Sequence, residues 1–132
     1  MTFDAADQIG RNTFKIMMSE VDGLNHRKGW HDEGISRTFG DEIALLHSEV
    51  SEALEAYRQW GIDDATTGLA HAEAEQELNT LPKPEGVGSE LADVLIRLLD
   101  TCACHDIDLY MEYRRKMDYN WTRPIRHGGK VL

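Results

Sequence analysis

The sequence predicts an all-α protein, a bundle of four to five helices in a single domain spanning residues 1–132. Three observations lead there: apolar residues recur at three- and four-residue spacing, strand-like alternation of any length is absent, and cap residues and glycines punctuate the periodic stretches. At 132 residues the chain has room for one real core and little more.

The first helix is expected over residues 3–24, where Phe14, Met17, Met18 and Val21 repeat at helical spacing. Residues 25–40, with three glycines and mixed charges, read as a loop. A second helix starts near Thr38, which can cap together with Asp41, and runs to Trp60, where Gly61 stops it. Its expected apolar face is Ile43, Leu46, Val50, Ala53, Leu54 and Tyr57. Residues 61–88 are weakly patterned and read as a surface insertion or loop, with AHAEAEQEL able to form a short polar helix. Ser89 is the expected cap of a third helix, with Glu90 and Asp93 in its first turn, continuing through Val94, Leu95, Leu98, Leu99 and Cys102 to about His105. A fourth covers residues 108–120 and ends before Arg123-Pro124, because a residue preceding proline avoids helical geometry.

Composition narrows the function. The chain carries 24 acidic and 14 basic side chains, which argues against a nucleic-acid polymer or an anionic membrane as partner. No uncharged apolar stretch approaches the roughly 20 residues of a membrane span, and the start Met-Thr-Phe-Asp does not resemble a signal peptide. A cytoplasmic location is expected. Cys102 and Cys104 point about 200° apart on a helix, so they are expected to be reduced core thiols rather than a disulfide. Residues 121–132 form a basic tail with Arg123, Arg126, His127 and Lys130, suited to a small anionic ligand or simply solvated.

The carboxylates carry the chemistry. In HSEVSEALEA, Glu49, Glu52 and Glu55 recur at every third position. Glu49 and Glu52 lie about 60° apart around the axis and roughly 4.5 Å along it, on one face, and Glu90 and Asp93 repeat the arrangement on the third helix. Facing pairs would repel by about 4 kcal/mol per pair at 4 Å and an effective dielectric near 20, so four acids together need protons or cations. Oxygen-only ligands suit a hard ion, Mg²⁺ or its substitute Mn²⁺. A di-iron bundle is disfavoured, since no acid is followed by histidine at the third position. The alternative is solvated surface charge, with Glu90 and Asp93 favouring a helix start.

Glu49-x-x-Glu52 followed by Glu90-x-x-Asp93, then Lys116, Asn120, Arg123-Pro124 and the run from His127 to Lys130, resembles the MazG-like all-α nucleoside triphosphate pyrophosphohydrolases over about the C-terminal two thirds. Ser48 stands where many members carry a second acid, and the gap between the two motifs is longer than usual. The resemblance implies Mg²⁺-dependent cleavage between the α and β phosphates of a (deoxy)nucleoside triphosphate, with Glu49, Glu52, Glu90 and Asp93 as metal ligands and catalytic groups, and Glu52 a candidate for taking a proton from water. It further implies a bundle completed as a homodimer or tetramer. On the substrate side, Lys116 and Arg123 suit phosphate, Asn120 suits a base edge or ribose hydroxyl or else a helix C-cap, and Trp30 and Trp60 suit base stacking or plain packing. His127 and Lys130 can close over the triphosphate on the Gly128-Gly129 bend, and Arg97 can reach the acids or form a surface salt bridge. The competing function is a non-catalytic acidic bundle that binds a partner or a nucleotide.

Overall fold

The computed structural model describes residues 4–62 and 83–131, and every described element is helical. They are α1 (Ala5–Arg27), α2 (Phe39–Trp60), α3 (Val87–Cys104), α4 (Leu109–Thr122) and a single turn, α5 (Arg126–Gly129). Residues 63–82, and with them the short polar helix expected at 70–78, lie outside the described residues.

Local chemistry explains most boundaries. Asp4 caps α1 by accepting from the Asp7 N–H at 2.9 Å, and the helix runs three residues past the expected end before Lys28 closes it. Thr38 and Asp41 make the expected capping box on α2, each accepting from the other's backbone N–H at 3.1 and 2.8 Å. Gly61, at φ 80°, ends that helix in a conformation that disfavours a side chain. Asp108 caps α4 by accepting from the Met111 N–H at 3.0 Å. Asn120 lies inside α4, and Arg123 takes the C-cap position.

Ser89 is not a cap. α3 begins three residues earlier than expected, after Gly86, and the Ser89 hydroxyl instead donates to the Pro84 carbonyl at 3.1 Å. The helix gains a turn because a backbone N–H at Glu90 reaches the Gly86 carbonyl at 3.0 Å without side-chain help.

α3 is the central helix, with α2 packed along one side and α1 along the other, while α4 rests on α1. Leu99 is the most deeply buried side chain and contributes about 2 kcal/mol by leaving water. Val21 of α1, Ala53 and Ala56 of α2, and Val87 and Cys102 of α3 are buried with it, and Tyr110 anchors α4.

The apolar face expected for α2 is only half right. The stripe turned toward α3 follows Glu42, Leu46, Glu49, Ala53, Ala56 and Trp60, all buried or half-buried, whereas Val50, Leu54 and Tyr57 stand half-exposed one residue, or 100°, further round. Two acids therefore occupy the buried seam, and large apolar side chains face outward. What permits this is a set of partners on α3. Cys104 is likewise exposed, not a core thiol, because burying Cys102 turns the position two residues on to the opposite side.

Among the described residues no helix is long and apolar enough to cross a membrane.

Candidate functional site

α2 and α3 run antiparallel, as their side-chain partners show. At one end His105 Nε2 lies 2.7 Å from Glu42 Oε2, with the His105 ring edge-on to Phe39 at 5.2 Å. Midway, Arg97 Nε donates to Glu49 Oε1 at 2.8 Å. At the far end Glu52 meets Glu90, and Glu49, Glu52 and Glu90 each place a carboxylate oxygen within 4.8 Å of the others. The acids thus begin with a partner each, His105 and then Arg97, and finish as a cluster.

Glu90 registers the crowding. Burial raises its pKa above the ordinary carboxylate value, and the negative charges of Glu52, Asp93 and Glu49 raise it further, with only Lys83 acting in the other direction. All four predicted ligands therefore act on one locality. Asp93 is not in the tight three-carboxylate group but stands one turn along α3, where it lines a cleft together with Glu49. Such a group is short of positive charge and matches the oxygen-donor set that a hard divalent cation takes.

The cleft measures about 270 Å³ and is lined by Trp30, Arg37, Glu49, Asp93, Arg97 and Asp100 among others. Trp30 is more than half exposed, and the Arg37 guanidinium lies over its ring, 5.8 Å from the centroid. Two arginines, an exposed indole and three carboxylates in one depression can bind a phosphate-bearing ring compound with a cation. Arg37 and Asp100 carry no recognisable motif; only the return of the 28–38 loop onto α3 brings them here.

The remaining substrate-side candidates lie elsewhere in a single chain. Lys116 and Asn120 are exposed on α4, Arg123 packs its guanidinium over Tyr119 at 5.8 Å, and Lys130 is exposed beyond α5. Trp60 is half-buried at the end of α2. None of these lines the cleft. The His127 side chain lies outside the described residues.

A second group of polar side chains gathers where the 28–38 loop crosses α3. His31 Nε2 lies 3.1 Å from Asp100 Oδ1, and Cys104 Sγ lies 3.7 and 3.8 Å from the two ring nitrogens of His31. Burial, followed by Asp100, Glu42 and Asp22, pushes the Cys104 thiol up to about 11. The thiol is therefore protonated at neutral pH.

No family model, curated protein or solved structure matches this chain.

Proposed function

We propose that this chain is a Mg²⁺-dependent nucleoside triphosphate pyrophosphohydrolase of the MazG-like type, cleaving between the α and β phosphates to release a nucleoside monophosphate and pyrophosphate. The observation that carries this reading is the convergence on Glu90 of Glu52, Asp93 and Glu49 from two antiparallel helices. Acids that were merely solvated would spread apart; these converge from two helices at a half-buried seam, as acids that share a cation do.

Glu49, Glu52, Glu90 and Asp93 would hold Mg²⁺, with Mn²⁺ as substitute. Bound there, the ion supplies charge neutralisation to the phosphate oxygens and a more acidic water. The protein's own groups do the rest. Arg37 and Arg97 in the cleft fix the phosphates, and Trp30 offers a face to the base. Glu52, the most exposed of the three clustered acids, takes the proton of the attacking water. Arg97 donates to Glu49 Oε1 and leaves Oε2 for a cation, so its remaining N–H groups would be available to phosphate beside the ion.

The exposed stripe of Val50, Leu54 and Tyr57 supports assembly as a homodimer, with a second copy covering it. Lys116, Asn120, Arg123, His127 and Lys130 then act on substrate by reaching the cleft of the partner copy. The two free thiols favour a cytoplasmic setting.

The test is pyrophosphate release from a panel of ribo- and deoxyribonucleoside triphosphates with Mg²⁺. The native chain is expected to turn over, and Glu49→Gln and Asp93→Asn to lose at least about 100-fold. Equal release by these variants refutes the metal assignment, and no release from any nucleotide leaves the non-catalytic binding module.

A further inference from the structure

The geometry points to a second metal site of a different kind, in which His31, Asp100 and Cys104 bind a transition-metal ion of the Zn²⁺ class. It does not depend on the phosphate chemistry proposed above.

Tetrahedral zinc with bonds of about 2.0–2.1 Å to nitrogen or oxygen and about 2.3 Å to sulfur sets its ligand atoms roughly 3.3–3.7 Å apart. The three edges present are 3.1 Å from His31 Nε2 to Asp100 Oδ1, 3.8 Å from His31 Nε2 to Cys104 Sγ, and 4.0 Å from Cys104 Sγ to Asp100 Oδ1. These edges come within about half an ångström of one face of a coordination tetrahedron; because Sγ is nearly equidistant from the two ring nitrogens, 3.7 and 3.8 Å, the imidazole turns about its Cβ–Cγ bond to aim a nitrogen lone pair at the ion.

Placement supports the same conclusion. Asp100 and Cys104 are one turn apart on α3, the spacing that puts two ligands on one helix face, and His31 arrives from the loop. Asp100 is 7% exposed and His31's side chain 16%, so both are held rather than free to drift. Asp22 and His26 form an overlapping triad with the same His31, their ligand atoms also within 4.8 Å of one another. The His26 and His31 rings sit 4.7 Å apart. Carboxylates at Asp22, Glu42 and Asp100 surround the thiol, offset by Arg37, so the locality is negative.

Imidazole and thiolate donors select zinc, cobalt or ferrous iron over magnesium, which separates this site chemically from the carboxylate seam. Binding converts the Cys104 thiol to a thiolate and releases its proton to solvent. The bound ion fastens the 28–38 loop, with Trp30 and Arg37, onto α3. It is a clamp for one wall of the cleft.

The experiment uses the full chain, reduced and stripped of metal. One equivalent of Co²⁺ is expected to produce d–d absorption and a thiolate-to-cobalt charge-transfer band in the near ultraviolet, both abolished by added Zn²⁺. The band should vanish in Cys104→Ser, and Co²⁺ affinity should fall at least tenfold in His31→Gln and Asp100→Asn, while Glu90→Gln keeps the band. In the native chain, which avoids any question of folding, stoichiometric Zn²⁺ should slow alkylation of Cys104 at least tenfold by mass spectrometry. Absence of the band, its survival in Cys104→Ser, or an unchanged alkylation rate each overturns the site.

Discussion

Charged side chains line both the α1–α4 contact and the α2–α3 seam, yet the two are built on opposite logic. Between α1 and α4, every acid meets a donor: Asp7 accepts from the Tyr110 hydroxyl at 3.0 Å and pairs with Arg114 at 3.1 Å, while Arg11 meets Asp108 at 2.8 Å. Between α2 and α3, Arg97 serves Glu49, but Glu52 and Glu90 face one another. The first contact is complete as it stands. The second leaves like charges facing each other, so an acidic residue's meaning is set by what the neighbouring element presents.

The largest expected effect exploits this difference. Mg²⁺ at about 100 times its dissociation constant should stabilise the native chain by roughly 2.7 kcal/mol in thermal or urea melts. The double variant Glu52→Gln, Glu90→Gln should lose the response, whereas Arg11→Ala should keep it. A double variant that still responds in full would place the cation elsewhere.

Next comes a change confined to the complete contact. A Cβ at Gly10 would lie 2.5–2.7 Å from the Tyr110 ring and hydroxyl, and that ring is held by Asp7 and packed against Phe14 at 5.6 Å. Gly10→Ala should therefore destabilise by about 1–2 kcal/mol in urea melts, overpacking outweighing the roughly 1 kcal/mol helix gain. Mg²⁺ should leave this deficit unchanged. A stabilised variant would mean that the Tyr110 ring yields freely.

Removing Arg97 leaves Glu49 without its partner in a half-buried seam. Arg97→Gln is expected to cost about 1 kcal/mol in the metal-free protein, with the loss shrinking when Mg²⁺ replaces the guanidinium. A deficit that Mg²⁺ does not reduce would separate Glu49 from the cation.

The smallest effect is a matter of sign. Because Glu90 titrates above its ordinary 4.5, its contribution to stability is present in full below that pH and lost as pH rises through the raised value. Metal-free Glu90→Gln should consequently melt higher than the native chain at pH 7, with the gap closing in acid and on adding Mg²⁺. The opposite order at pH 7 would show that Glu90 is not crowded by its neighbours.

Local signals were readable where local chemistry decides. The Thr38 and Asp41 capping box and the Gly61 stop bound α2 as the residues themselves demand. Ser89 misleads because serine serves equally well as a cap or as a donor to a turn carbonyl, and its Pro84 partner is chosen by how residues 83–88 fold. The α2 face was legible only to within one residue: periodicity marks an apolar stripe, but polar contacts with His105 and Arg97 rotate the buried side toward Glu42 and Glu49. Asp100 and Cys104 are one helical turn apart, but His31 joins them from 69 and 73 positions away, a meeting that no linear pattern marks.

Sequence alone determined the helices, their approximate limits, the acidic balance and the two acid pairs, since these follow from periodicity, caps and counting along one chain. Tertiary structure decided which acids are paired and which are crowded, that Trp30 and Arg37 enter the cleft, and that Cys104 faces His31 rather than the core. The reason is physical. A side chain's charge and shape are written locally, whereas the free energy of holding that charge depends on the dielectric and partners that another element brings to it.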